Sequence, residues 1–462
     1  MMVWFTTLLP PAALGLVLLR GLGLRWRDDP VSFAAWAWLL GCLVLGVIVQ
    51  LQVLAGSWVA FAAVLGPLAA LRQWQDRRSQ ASVSSSAASS EDAGGRGYAA
   101  FVVAGVVLCL LFVLAGADRP CIEGDEGNIW SLKAKSLLVD WPDQFARAQV
   151  YNLHPDYPQL NPLLQAWGYL AHGRHDLTAT TNRWLVQLCS VALFVAVAGA
   201  LRRRLPPLAA AAGGALLLFE PEFQNLLRTA YADGMLALGL VVALDGFLRY
   251  RASGDRRFGW LAGLGLAFAL WSKNETMLYL ASAGLAAAIT RAWIRPQCGG
   301  FRLGNLWLLA PAIAVVVFTA LWNRCFGMKS DLLGANPSGK SMFALMAEQW
   351  PERVPAMLAE AFAVLTSPSH AHVVFALLLL GAFLLPRGAF GPRMALPMLA
   401  LAGAFVGIHV VYVGSFLPLR FHLDTSYTRV TFQLLPAALV LAAALASDVV
   451  AARRAGHTAP SS

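Results

Sequence analysis

The chain has 462 residues, of which 58% are hydrophobic and only 13% charged. Soluble domains carry about 25% charged residues, and the mean hydropathy is +0.60. Soluble, disordered and disulfide-stapled secreted classes are therefore excluded, which leaves an all-α polytopic membrane protein. The net charge of +10 comes with five lysines among 35 basic residues. Set between apolar runs, these charges report topology rather than a nucleic-acid partner. The six cysteines form no CxxC and several lie inside apolar runs, so they read as small packing residues. Cys121 and Cys325 fall in expected outer loops, where they could pair.

About 20 apolar residues cross a hydrocarbon layer of roughly 30 Å. The runs at 3–19, 33–54, 57–71, 98–116, 183–201, 207–219, 232–248, 258–272, 276–291, 305–323, 371–385, 394–413 and 430–450 give about 13 expected transmembrane helices. The first lacks a basic leader and a small-x-small cleavage site, so it reads as a retained helix. Arginine clusters follow alternate runs: Arg20, Arg25 and Arg27; Arg72, Arg77 and Arg78; Arg202 to Arg204; Arg249, Arg251, Arg256 and Arg257; Arg291, Arg295 and Arg302; Arg387 and Arg393; Arg453 and Arg454. By the positive-inside rule that side is cytoplasmic, with the N-terminus outside and the C-terminus in. The expected organisation is three N-terminal helices (1–72), a flexible cytoplasmic linker (73–97, rich in Ser, Ala and Gly from 79), a helical core (98–452) and a short cytoplasmic tail (453–462).

The opposite side receives the long loops, all five lysines and most histidines and acids. Polar residues placed against the topological bias call for another reason, and a reaction site supplies one. Glu123, Asp125 and Glu126 open a stretch in which Ile129, Trp130, Lys133, Ala134 and Leu137 suit an interfacial amphipathic helix. Helix capping by Asp125 or Asn128 is the plainer reading, but capping needs one such group and here there are several. His154, Asp156 and Tyr157 lie among closely spaced prolines, which enforce an extended entry to the next helix. Arg228 and Tyr231 precede Asp233, which opens the run at 232–248 on that same side. Ser272-Lys273-Asn274-Glu275 has the spacing of a capping box, although capping leaves Lys273 unexplained. Arg429 precedes the last run, placed either to snorkel or to hold a phosphate. His370 and His372, with no acid nearby in sequence, are weak metal-ligand candidates.

In this order the motifs resemble the GT-C superfamily of membrane glycosyltransferases, above all its polyprenyl- and dolichyl-phosphate-sugar-dependent members: protein O-mannosyltransferases and the aminoarabinose transferases of lipid A. Asp125-Glu126 matches the acidic motif of the first outer loop. Trp130-x-x-Lys133-Ala134-Lys135 and Tyr157-Pro158-x-Leu160-x-Pro162 are similar to the segment that follows it in bacterial members. Tyr231-Ala232-Asp233 resembles the second acidic position, Lys273-Asn274-Glu275 the short hairpin, and Ser426-x-x-Arg429 the basic position near the last helix. The likeness spans residues 98–450. The chain departs from the family pattern in its three extra N-terminal helices and in lacking a large soluble C-terminal domain.

The resemblance implies a GT-C fold with interfacial helices in the first large outer loop. It further implies inverting transfer of a sugar from a polyprenyl-monophosphate donor to an envelope acceptor (lipid, polysaccharide or protein), at the outer face of a bacterial cytoplasmic membrane. Asp125 would be the base, with Glu126 and Asp233 positioning the acceptor or, for Asp125 and Asp233, a divalent cation. Lys133, Arg228, Lys273 and Arg429 would bind the donor phosphate, and His154, Tyr157 and Glu275 the sugar or acceptor. Two other readings stand beside it: a lipid-linked-sugar flippase or transporter, and an O-antigen ligase or polymerase using a diphosphate-linked donor. Span centres nearly free of charge weigh against the flippase.

Overall fold

The structure is a computed structural model that describes residues 2–55, 93–117, 119, 124–139, 142–150, 154–171, 180–293, 307–328, 340–385, 391 and 393–457. Every regular element among them is helical. The expected run at 57–71, most of the linker and Cys121 lie outside the described residues. Cys325 is an exposed free thiol. The other twelve expected runs coincide with helices. Six described helices are long and apolar enough to cross a membrane, or seven if one sharply bent pair counts as a single span. Several apolar runs are simply short. At about 1.5 Å per residue, the 12-residue helices Pro207–Leu218 and Val373–Leu384 reach only about 18 Å.

The chain begins with α1 (Met2–Gly21) and α2 (Pro30–Ala55), packed against each other. A Cβ on Gly15 would overlap the Ala37 carbonyl oxygen, and one on Gly41 the Pro11 carbonyl, so only glycine lets these backbones meet. Then α3 (Ala93–Ala115) begins at Ala93, five residues inside the expected linker. Beyond the short α4 (Leu132–Ser136), α5 (Asp143–Val150) and α6 (Leu160–Ala171), α7 (Trp184–Arg202) runs through the bundle centre. Of its apolar window 89% is buried, against 17% for Trp307–Cys325. The latter is therefore peripheral, with Ile313, Val317 and Leu321 forming an outward stripe one helical turn apart.

Next come α8 (Pro207–Leu218), α9 (Pro221–Arg228) and α10 (Asp233–Ser253). The last two form the bent pair, turning by 115° at the break between them. Helix α10 packs closely on α11 (Arg256–Ser272), which turns directly into α12 (Glu275–Trp293). The remainder comprises α13 (Ala310–Cys325), α14 (Met342–Thr366), α15 (Val373–Leu384), α16 (Ala395–Gly414), α17 (Leu419–His422), α18 (Thr428–Phe432) and α19 (Leu435–His457).

Four arginine-bearing segments converge at one end of the bundle. Asp245 accepts from Arg203 at 2.6 Å and from Arg204 at 2.9 Å, while Asp29 pairs with Arg203 and, at 2.9 Å, with Arg249. Arg257 donates to the Gly23 carbonyl. These pairs tie the α1–α2 turn to the ends of α7 and α10. Asp233 lies twelve residues before Asp245 in the same helix, about 18 Å away at helical rise, and it opens the opposite end.

The first loop at that opposite end differs from the expected surface helix. A single π-helical turn, Glu126–Ser131, leads into α4, and Glu126, Ile129, Trp130, Ser131, Lys133 and Ala134 are all buried. An interfacial helix needs one wet face. Here the polar residues find partners inside the protein, so the segment packs in rather than lying on headgroups.

Candidate functional site

Gly124 turns the chain into this first loop with φ +51°, a conformation in which side chains are strained, and an added Cβ would sit 3.0 Å from the Tyr231 hydroxyl. Asp125 follows. It makes no capping hydrogen bond to the turn it precedes; its Oδ2 instead receives Arg429 Nη2 at 2.5 Å. The Arg429 guanidinium lies 4.5 Å from the Tyr231 ring centre and 3.8 Å from Asp233 Oδ2. A single arginine from α18 thus bridges two carboxylates from separate segments.

Asp233 leaves its own helix uncapped as well. Its Oδ1 accepts from Lys273 Nζ at 3.0 Å and from Gln433 Nε2 at 2.6 Å, and Gln433 in turn accepts from the Tyr279 hydroxyl at 2.6 Å. Lys273 also pairs with Glu275 at 2.7 Å. Burial opposes charge on Lys273, but the Asp233 and Glu275 carboxylates more than offset it and hold its pKa above the usual lysine value. Ser272 gives its hydroxyl back to Phe268 O within its own helix. The connection between α11 and α12 thereby becomes a charge carrier rather than a mere helix start.

Charges consequently alternate along Asp125, Arg429, Asp233, Lys273 and Glu275. Asp125 is the most open of these acids, its side chain 29% exposed against 20% for Glu275 and 0% for Asp233. Beside them His154, Tyr157 and Trp130 form a continuous ring stack, with centroids 4.6 and 5.4 Å apart. Burial first, then the Glu275 and Asp125 charges, push the Tyr157 hydroxyl well above its ordinary pKa, so it stays a proton donor. Asn274 reaches Asp156 at 3.0 Å and joins the same assembly.

Three of the expected site residues serve elsewhere. Glu126 is buried and accepts from the Ala230 amide at 2.8 Å with Arg183 3.6 Å away, which fixes the break between α9 and α10. The buried Lys133 ammonium donates to the Pro155 and Tyr157 carbonyls at 2.9 and 2.8 Å, so it shapes the loop bearing the ring stack. Arg228 rests on the Phe112 ring at 4.7 Å. For a divalent cation, the space between Asp125 and Asp233 is already spanned by the Arg429 guanidinium, a poor fit for a shared metal.

Sequence reading missed Arg183, Gln433 and Tyr279, each an unremarkable residue within an apolar run. It also missed that Glu220, which precedes α9, meets His370 and His372. The chain matches no protein-family model, no curated protein and no solved structure.

Proposed function

We propose that the protein is an inverting membrane glycosyltransferase that takes a sugar from a polyprenyl-monophosphate donor and passes it to an envelope hydroxyl at the outer face of a bacterial cytoplasmic membrane. The observation that carries this reading is the alternating chain Asp125–Arg429–Asp233–Lys273–Glu275, gathered at one end of the bundle from segments up to 304 residues apart. The GT-C resemblance, whose motifs supply these same residues, supports it.

In this mechanism the acceptor oxygen attacks the anomeric carbon while its proton passes to Asp125, the most open of the site's carboxylates. The bond from the anomeric carbon to the phosphate oxygen breaks, and its electron pair leaves on the lipid phosphate. Arg429 then meets the charge growing on that phosphate, with Lys273 behind it. A phosphate that draws Arg429 to itself frees Asp125 Oδ2, which Arg429 otherwise occupies, to receive the acceptor's proton. His154, the outer ring of the stack on Tyr157 and the buried Trp130, offers the flat face on which a sugar packs.

The flippase reading draws on a different feature, the 115° break before Asp233, since discontinuous helices hold substrate in transporters. One experiment separates the readings. Purified protein in nanodiscs, given labelled polyprenyl-monophosphate sugars and cell-envelope acceptors, releases free polyprenyl phosphate, and Asp125→Asn lowers that release by about 10²- to 10⁴-fold. Donors bound but never turned over would overturn the transferase in favour of transport. Turnover confined to diphosphate-linked oligosaccharides would make it a ligase or polymerase.

A further inference from the structure

Glu220 sits where an N-cap residue of α9 belongs, followed by Pro221, yet it makes no side-chain capping bond. Its carboxylate instead reaches the loop before α15. Oε2 accepts from the Ala371 amide at 2.5 Å, and Oε1 lies 2.9 Å from His370 Nδ1 and 3.9 Å from His372 Nδ1. The three ligand atoms lie within 4.8 Å of one another. Glu220 and His372 are fully enclosed, and His370 is 20% exposed.

The hydrogen bonds fix the imidazole of His372. Thr431 has one hydroxyl proton and, as a helical threonine, gives it back to Tyr427 O at 2.8 Å. Its oxygen therefore accepts from His372 Nε2, 3.0 Å away. That tautomer leaves Nδ1 as a bare lone pair, and this buried atom has no hydrogen-bond partner. It lies 3.9 Å from Glu220 Oε1, whose own hydrogen-bond partner is His370 Nδ1, so a buried lone pair faces a carboxylate with no donor serving it. Such an arrangement is costly unless a cation lies there.

We infer that Glu220, His370 and His372 form a binding site for a single divalent transition-metal ion, zinc by its ligand set. Two imidazole nitrogens and one carboxylate oxygen suit Zn²⁺. Ligand atoms around a tetrahedral zinc stand about 3.3 Å apart, and the observed 2.9 and 3.9 Å straddle that spacing. The Ala371 amide and Thr431 hydroxyl supply the outer hydrogen bonds that orient such ligands. The partly exposed side at His370 gives an entry path.

Its place in the fold defines its role. The ion pins the loop before α15 to the head of α9 and, through Thr431, to α18, in which Arg429 lies two residues earlier. Thr428 already ties α18 to Glu222 of α9 at 2.7 Å. The metal would thus stiffen the element that carries Arg429 without touching the reacting atoms. The site stands independently of the transferase reading.

Zinc content of the full chain is the test, with any affinity tag cleaved, the protein stripped by a chelator and then titrated with Zn²⁺ in detergent. Wild type takes up one equivalent, and Co²⁺ in its place gives the strong visible absorption of a four-coordinate site. Thr431→Val weakens zinc by about 10- to 100-fold, while H370Q and E220Q, each lacking a direct ligand, weaken it more. Size-exclusion profiles establish which variants fold. H370Q, at the partly exposed ligand, decides the matter if E220Q does not. Folded wild type without stoichiometric zinc, or unchanged zinc affinity in folded H370Q, overturns the assignment.

Discussion

Replacing Lys273 by Met keeps the aliphatic stem and removes the ammonium, which is the sharpest perturbation of the charge chain. The Lys273 side chain is 2% exposed, 3.0 Å from Asp233 and 2.7 Å from Glu275. Without it Asp233 retains Gln433 at 2.6 Å and a guanidinium 3.8 Å away. Removing one member of a buried pair costs about 3–5 kcal/mol, and those residual partners set the expectation at the lower end, about 3 kcal/mol. Asp233→Asn should cost less, about 2 kcal/mol, since Lys273 keeps Glu275. In the double variant neither charge strands the other, so the losses fall short of additivity by about 2 kcal/mol. Equilibrium unfolding in mixed micelles, followed by tryptophan fluorescence, measures all three. The pH dependence has a defined sign. Because the folded-state pKa of Lys273 is raised, its stabilisation is complete below the unfolded value of about 10.4. It is lost as pH rises through the folded value. The gap between wild type and Lys273→Met should therefore be flat from neutral pH to about 10 and narrow above that. A variant within 1 kcal/mol of wild type, or strictly additive losses, would refute the reasoning.

Asp245→Asn leaves Arg203 and Arg204 facing each other without their shared anion, and it should cost about 3–5 kcal/mol in the same unfolding assay. Donor turnover per folded molecule should stay unchanged, because the substitution lies at the far end of α10. Gly124→Ala forces a side chain into positive φ against the Tyr231 hydroxyl, at a cost of about 1–2 kcal/mol. Because that turn presents Asp125, kcat should fall while donor affinity holds, which steady-state kinetics will separate.

How much could be read in advance differed by kind of feature. Long apolar runs declare themselves through local composition, so helices formed where expected. Whether a run of twelve residues crosses a bilayer depends on its neighbours, and among the described residues six or seven spans are long and apolar enough by themselves. The meeting of Asp125, Asp233, Lys273 and Arg429 at one end followed from alternation of the chain across the bundle. Which polar groups became scaffold was hidden. Lys133 and Glu126 look like site residues by type and position, yet both point into backbone groups of the folded loops. Their immediate neighbours Ile129, Trp130 and Ala134, all fully buried, were the one local sign that the segment turns inward. The acid that completes the His370 and His372 pair lies 150 residues upstream, beyond the reach of any spacing rule.

The two ends of α10 show what separates a clamp from a working site. At the arginine-rich end both oxygens of Asp245 are matched by guanidinium groups, and neither is left to offer a ligand. At the other end Asp233 Oδ2, Glu275 Oε2 and Arg429 Nε are buried without hydrogen-bond partners, while Asp125 stays open beside them. A buried polar group left incomplete costs stability. A protein that satisfies one network fully and leaves its counterpart short, on the same helix, holds the second for something other than stability. The incomplete atoms include both signs of charge, which suits a substrate with an anionic phosphate and donor hydroxyls better than one with a single charge. A phosphorylated sugar carrier, the donor class of the transferase proposed above, has both features.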